Sequence, residues 1–382
     1  MIVLALNRGS SSLKFALFDE RLLLARGAME GIGGDCGRLW LHDADGATVT
    51  DRQGVFGAAL PAVEGLFAML AEQGLPAPGA VGHRLVHGGP HHCLPSIATG
   101  ALLKSLRTDV AFAPLHLPAA LDLVEAVVGR SPHLPQVLCF DTAFHHDLPD
   151  VARLFPLPRA FADVGLRRYG FHGLSFEFVV DSVGPKVLGR AVIAHLGNGA
   201  SMAAVADGRA IDTTMGLTPA GGFMMGTRSG DLDPGLLLYL LRTGWDVTAL
   251  DRLVNHQAGL LGASGISSDM QVLVSMRAAE PRAAFAVGMF CYQARKAIGG
   301  QAAVLGGIDS LVFTGGIGER SVEVREEICA GLGHLGVELD PARNKAGSGV
   351  ISRADSRVTV RVVHTDEESV IARHTRRVLE AT

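Results

Sequence analysis

Apolar residues along the chain fall into short unbroken runs and longer segments with helical spacing. Ile2–Leu6 is a short apolar run, followed by a polar Gly/Ser turn and a second run, Leu13–Phe18, that ends at Asp19-Glu20. That pattern predicts a β-hairpin. Ala191–His195, the turn GNGAS at 197–201, and Met202–Ala206 ending at Asp207-Gly208 repeat it. Pro135–Phe140 and Leu311–Thr314 read as buried strands, and Pro281–Leu305 and Asp366–Leu379 as helices with apolar positions three and four apart. A Pro-rich stretch, LPDVARLFPLPRAF at 148–161, marks a domain boundary. Two strand–turn–strand units far apart in one chain point to a duplicated design, two α/β domains with a cleft between them. One segment obeys neither period. DTTMGLTPAGGFMMGTRSGDLDP, Asp212 to Pro234, is rich in Gly, Thr and Met and has Arg228 as its single basic residue. An aperiodic segment of that length is a functional loop or disorder.

Composition narrows the class. The chain has 382 residues, 48% of them hydrophobic and 19% charged, which suits folded domains with real cores. Glycine is the outlier at 48 residues, against an ordinary share of roughly 7%. With three Tyr and two Trp, it signals close backbone approaches and not a fibrous repeat. A net charge of -4 gives no electrostatic footprint for nucleic acid or an anionic membrane. Five cysteines (Cys36, Cys93, Cys139, Cys291, Cys329) are scattered without a CxxC pair, so neither a disulfide framework nor a zinc cage is expected. The start, MIVLALNRGSSS, reads as a strand and not a signal peptide, and no apolar run nears the ~20 residues of a membrane helix. The expectation is a soluble cytoplasmic protein.

Several motifs carry chemistry. LNRGSSSLKF (6–15) puts Asn7 and Lys14 around a serine-rich turn after a strand. Arg8, in the same turn, is expected to face solvent, the common case for arginine. VGHRLVHGG (81–89) sets Arg84 between His83 and His87, and FDTAFH (140–145) sets Asp141 just past a buried strand, where open α/β sheets carry ligands. RRYGFHG (167–173) joins Arg167, Arg168 and His172; TGGIGE (314–319) is a strand, a Gly turn and a helix start. Arginines, carboxylates that include the acidic TDEE at 365–368, and anion-binding turns suit phosphoryl transfer with a divalent ion. Three other patterns lack their context. GLGHLG (331–336) follows a helical segment where a dinucleotide loop needs a strand. His91-His92 and His145-His146 have no partners at metal-ligand spacing and read as surface or loop histidines.

Read in order, the motifs LNRGSSSLKF, GHRLVHGG, APLHLP, FDTAFH, RRYGFHG, HLGNGAS, DTTMGLTP…MGTRSGDLDP, LGASGISSDM, FTGGIGE and TDEESVIAR resemble those of the acetate/propionate/butyrate kinase family from residue 2 to about residue 377. That family belongs to the acetate and sugar kinase/heat-shock-70/actin superfamily. The resemblance implies a two-domain actin-like ATPase fold of duplicated, mixed-sheet, ribonuclease-H-like α/β domains with an interdomain cleft. Domain I would span 1–147 and 369–382, and domain II, for nucleotide binding and dimerisation, 148–368. It implies Arg84, Asp141, His172 and Arg228 as catalytic residues, with His172 and Arg228 stabilising the transition state. Asn7 and Glu367 would serve the metal. Val86, Leu115, Phe171 and Pro219 would line the acyl pocket. Lys14, His195, Gly197, Asn198, Gly199, Gly315, Gly316, Ile317 and Gly318 would hold the nucleotide, and His116 would lie near phosphate. Leu117, Leu174, Phe176, Arg8, Arg320 and Asp366 depart from the family pattern; the first three adjoin the pocket and bear on acyl-chain preference.

The function so implied is reversible transfer of the ATP γ-phosphoryl to acetate, giving acetyl phosphate and ADP, in a homodimer using magnesium, or manganese in its place. A carboxylic acid of pKa near ~4 is already ionised at neutral pH, so the acceptor needs charge neutralisation and no general base. The alternatives are a propionate or butyrate kinase of the same family, a sugar kinase or chaperone-like ATPase of the same fold, and a non-catalytic nucleotide-binding protein.

Overall fold

The computed structural model describes residues 1–9, 12–57, 59–114 and 116–381. The chain divides into two compact units, Met1–His146 with Asp366–Thr382, and Asp147–Thr365. The return to the first unit thus falls at Asp366, ahead of residue 369.

The first unit is built on an eight-stranded sheet. Its strands are β1 (Ile2–Arg8), β2 (Ser12–Asp19), β3 (Leu22–Glu30), β4 (Gly37–Asp43), β5 (Thr48–Gly54), β6 (Ala80–Leu85), β7 (Ser96–Ile97) and β8 (Gln136–Phe140), in the spatial order β5-β4-β3-β2-β1-β6-β8-β7. β1 to β5 form an antiparallel meander; β6 pairs parallel with β1, and β8 parallel with β6. The central strands are buried on both faces, which explains why Val3–Leu6 and Val137–Phe140 read as unbroken apolar runs. Helices α1 (Ala59–Glu72) and α2 (Leu117–Arg130) pack on each other, with Val63, Leu66, Met69, Leu123 and Val127 joining Leu4, Leu6 and Val81 in one core.

The second unit repeats the plan. It contains α3 (Gly173–Val183), strands β9 (Ala191–Leu196), β10 (Ala200–Ala206) and β11 (Arg209–Thr213), helices α4 (Pro234–Arg242) and α5 (Pro281–Val304), strand β12 (Ser310–Thr314), the one-turn helix α6 (Gly315–Arg320), and strands β13 (Gly349–Val350) and β14 (Thr359–Val362). The order is β11-β10-β9-β12-β14-β13. β12 pairs parallel with β9 and with β14, and β13 closes the edge antiparallel. Strand for strand, this matches β3-β2-β1-β6-β8-β7 in position and direction, so the duplication covers the whole sheet core and not the hairpins alone. α5 lies along β9, β10 and β11 with Ala286, Val287, Phe290, Ala294 and Ile298 fully buried.

The last helix, α7 (Glu367–Glu380), packs on β1, β6 and β8 of the first unit. Its close approach depends on Gly82 of β6, where a Cβ would sit 2.2 Å from Thr375 Oγ1 and 2.6 Å from Ile371 Cγ2. Absence of a side chain there lets α7 lie directly on the sheet, and so places its first residue, Glu367, near the carboxyl ends of β1, β6 and β8. Among the described residues no helix is long and apolar enough to cross a membrane.

Candidate active site

Each unit carries its own group of site residues. In the first, parallel pairing aligns Asn7 of β1 with Arg84 of β6, and Asp141 directly follows β8. Side chains from three strand ends therefore meet, as expected at the carboxyl edge of a parallel sheet. Arg84 donates from Nε to Asp141 Oδ2 at 3.1 Å and from Nη2 to the same oxygen. Asp141 is buried, and its Oδ1 has no hydrogen-bond partner among the described residues. Asn7 Nδ2 donates to Glu367 Oε2 at 3.0 Å and Glu368 Oε1 at 3.1 Å. Lys14 stands opposite Asn7 in the β1–β2 register, and its charge favours the ionised form of Glu367, so this predicted nucleotide residue lies with the carboxylates.

Charge defines this group. Burial, then the neighbouring Asp141 carboxylate, push the Glu367 carboxyl up to about 7; Glu368 adds to the rise, while Arg84 and Lys14 oppose it. Burial works against the Arg84 guanidinium, but the charge and hydrogen bonds of Asp141 overcome it and hold Arg84 above its ordinary range. Three carboxylates near one arginine, with a buried carboxylate oxygen unpartnered, form a site that a divalent cation would relieve. No three His, Cys, Asp or Glu side chains among the described residues converge as a protein-only metal cage. Magnesium does not require one, since it keeps waters and takes substrate phosphate oxygens beside one or two carboxylates. The residues present fit such an ion.

In the second unit, His172 has left-handed backbone (φ 57°) at the N-terminus of α3, an unusual state for a residue with a side chain and one that clusters at functional positions. Its ring stacks on His195 with centroids 4.2 Å apart and planes 18° from parallel. Each Nδ1 is fixed by a serine at 2.8 Å, His172 by Ser201 and His195 by Ser175. Arg228 donates from Nη1 to the Pro219 carbonyl at 3.2 Å. A Cβ built on Gly199 would lie 3.3 Å from Arg228 Nη1 and 3.4 Å from His172 Nε2, so the GNG turn brings the arginine and both imidazoles into one group.

Backbone bonds fix the long loop that carries Arg228. Gly226 N donates to Asn198 O, Ser229 N to Val254 O and Ala258 N to Thr227 O, each at 3.0 Å. Met215, Phe223, Met224 and Met225 are buried anchors. The Arg168 guanidinium donates to the carbonyls of Ala152, Thr213, Thr214 and Met215, so it shapes the loop's start. Gly197, Asn198 and Gly199 follow β9, and Gly315, Gly316, Ile317 and Gly318 open α6 after the adjacent β12, with Thr314 in register with His195.

Other predicted residues are placed as follows. Val86 is buried just after β6; Phe171 is buried beside His172. His116 stands at the N-cap position of α2, and Leu115 lies outside the described residues. Leu117, Leu174 and Phe176, the departures near the pocket, are all fully buried in the packing. Arg8 does not face solvent: it is half-buried, and its Nη1 donates to Ser12 O across the hairpin at 2.9 Å. His145 is buried and not a surface histidine. Ser175 and Ser201 were absent from the expected set, although GLSF and GNGAS contain them; only the fold reveals which histidine each one touches.

A duplicated mixed sheet of this order, with a polar group gathered in each copy, defines an actin-like α/β fold. A model described as the Acetokinase family matches residues 2–373, and the chain belongs to that family. An acetate kinase from Methylocella silvestris is 44% identical over 99% of this chain and 98% of its own length. Among solved structures, a propionate kinase from Francisella tularensis subsp. tularensis SCHU S4 is 33% identical with a TM-score of 0.93, and an acetate kinase from Porphyromonas gingivalis 37% identical with a TM-score of 0.88. Each alignment covers 99% of both chains.

Proposed function

We propose that this chain transfers the γ-phosphoryl of ATP directly to acetate and runs the reverse reaction from acetyl phosphate and ADP. The supporting observation is the group at the ends of β1, β6 and β8: a buried Arg84–Asp141 pair beside Asn7 and a Glu367 pushed up to about 7. That arrangement suits an anion held through a cation. Arg84 binds the acid's carboxylate. Asp141 and Glu367 would hold magnesium, with Asn7 orienting Glu367; manganese would serve with the same oxygen ligands. When bound, the ion neutralises charge on phosphate oxygens. Arg228 and His172 do the same for the transferring phosphoryl, and the serine bonds to His172 and His195 hold the rings for that role. Val86, Phe171 and Pro219 serve the acyl group, as the family motifs that contain them imply. Lys14, His195, and the turns Gly197–Asn198–Gly199 and Gly315–Gly316–Ile317–Gly318 serve the nucleotide. Two anions must meet in this reaction, so charge neutralisation is the main work of the protein.

Propionate is the second reading, favoured by the 0.93 TM-score to the F. tularensis propionate kinase. The higher identity to the M. silvestris acetate kinase, 44% against 33%, puts acetate first. We also place the protein in the cytoplasm as a homodimer; α4 supports the latter, because none of its residues is buried.

Trapping acyl phosphate as hydroxamate, with ATP, magnesium and acetate, propionate or butyrate at matched concentrations, tests the reading. Acetate is expected to give the highest kcat/KM. Arg228→Ala should lower kcat by about 10²–10³. Arg228→Lys should recover only part, because a planar fork becomes a point charge. Near-normal turnover in Arg228→Ala would remove Arg228 from the chemistry.

A further inference from the structure

Glu319, the last acidic residue of TGGIGE, turns its side chain back onto the start of its own helix. Its Oε1 accepts from Gly315 N at 3.0 Å, Thr314 Oγ1 at 3.3 Å and Thr365 N at 3.1 Å. Its Oε2 lies 2.9 Å from His364 Nδ1. One carboxylate thus joins two chain segments. The first is the turn between β12 and α6. The second, residues 364–365, follows β14 and leads straight into Asp366 and Glu367. These segments are neighbours because β12 and β14 pair in parallel, with Phe313 opposite Val362.

The other end of α6 is equally fixed. Arg325 is fully buried, and Nη1 donates to the carbonyls of Gly318 and Glu319 at 2.9 Å each. Its Nη2 reaches Asn344 O at 2.7 Å and its Nε reaches Asn344 Oδ1 at 2.8 Å. Glu319 thus takes the first amide of this short helix, and Arg325 takes two of its last carbonyls. The Gly315 amide, already bonded to Glu319, is not the donor the turn offers a phosphate.

We propose that Glu319 is a positioning residue that sets the shape of the nucleotide turn and ties it to the segment carrying Glu367, so that nucleotide binding and Glu367 placement are coupled. The inference rests on the nucleotide role proposed above for Gly315–Gly318. Glu319→Gln leaves an oxygen that can face the three donors but removes the negative charge that strengthens those bonds, and it sets an N–H toward His364 Nδ1 where the carboxylate had an acceptor.

The test uses full-length protein and Glu319→Gln. Calorimetric titration with MgADP, without acid, reads nucleotide affinity; steady-state assays give KM for ATP and acetate; hydrogen exchange follows the 363–369 segment with and without MgADP. In the wild type, MgADP should slow exchange in that segment. In Glu319→Gln the Kd for ADP should rise on the order of tenfold, about 1.4 kcal/mol, the protection should disappear, and KM for acetate should stay within about twofold. Unchanged affinity and protection in the variant, or equal rises in both KM values, would overturn the proposal. If Glu319→Gln does not fold, His364→Ala and Thr314→Val each remove one contact to the carboxylate. Weaker MgADP-induced protection in either supports coupling, and wild-type protection in both sinks it. A wild type that binds MgADP without protecting 363–369 refutes the coupling alone; one that binds no MgADP refutes the proposed function with it.

Discussion

His83 and Arg84 are consecutive, yet the sheet sends them to opposite faces. Gly82 faces α7, so Arg84, two residues on, shares that face with Glu367, while His83 points into the packing on the other side. It is 1% exposed; its Nε2 pairs with Gln136 Oε1 at 2.7 Å, and its Nδ1 has no partner among the described residues. Burial lowers its pKa from 6.5 to about 4, against the pull of the Gln136 bond. An unfolded chain takes up this proton near 6.5 and the folded chain only near 4, so folding stability is lost as pH falls through that window, by up to roughly 3 kcal/mol. His83→Gln keeps a donor for Gln136 and leaves nothing to protonate. Denaturant unfolding at pH 7.5 and pH 5 should show a marked drop for the wild type and a much smaller one for the variant. Equal drops would assign the acid sensitivity to other groups. In the sequence, His83, Arg84 and His87 looked like one chemical cluster. Period-two alternation already separates His83 from Arg84, but which of the two faces holds the chemistry is fixed by α7, nearly 300 residues further on.

The loop from Thr214 to Asp233 shows what an element without periodicity conceals. Its candidacy as a functional loop was legible, since GTRSGD holds a lone arginine among glycines, but its shape was not. The shape comes from partners far along the chain: Asn198 on one side, and Val254, Asn255 and Ala258 on the other. β4 and β5 escaped notice for a related reason. β5 is TVTDRQG, mostly exposed, and carries no apolar face to read. Within the loop, Gly230 is required on two grounds: its φ is +72°, and a Cβ there would lie 2.5 Å from the Phe223 carbonyl carbon and 2.8 Å from Gly222 O. Backbone atoms cannot swing aside as a side-chain tip can. Gly230→Ala should cost about 1–2 kcal/mol for the left-handed conformation alone, with the clash added to that. Because the Met225 N to Arg228 O bond closes the same turn, the strain reaches the arginine. We expect a lower denaturation midpoint together with a kcat reduced by about tenfold or more, as for a small misplacement of a positioned group. Wild-type values for both would show that the turn re-forms around an alanine.

At the scale of the molecule, the duplication was visible in two hairpins about 190 residues apart, but the sheets match over six strands each. β7 and β13, the matching edge strands, are two residues long, too short for any alternation to register. The surface of the second unit bears on assembly. α4 has the sequence PGLLLYLLR, with leucines spread over about half its circumference and no buried residue; Leu238 is 49% and Tyr239 62% exposed. Val247, just beyond it, is 76% exposed. A monomer in water rarely leaves such apolar residues side by side uncovered. A second copy of the chain supplies apolar cover of the same kind, and a two-fold interface presents each residue twice. Leu238→Glu would therefore place two charges in the interface for one substitution. Losing two buried leucines at about 1.5 kcal/mol each, the low end for a side chain of that size, gives roughly 3 kcal/mol, more than a hundredfold in dissociation constant. Light scattering after gel filtration should find the wild type as a dimer at micromolar concentration and Leu238→Glu shifted to monomer. A monomeric wild type contradicts the homodimer itself. A variant that dimerises as tightly as the wild type keeps the dimer but removes α4 from its interface, and the leucines of α4 then require another explanation.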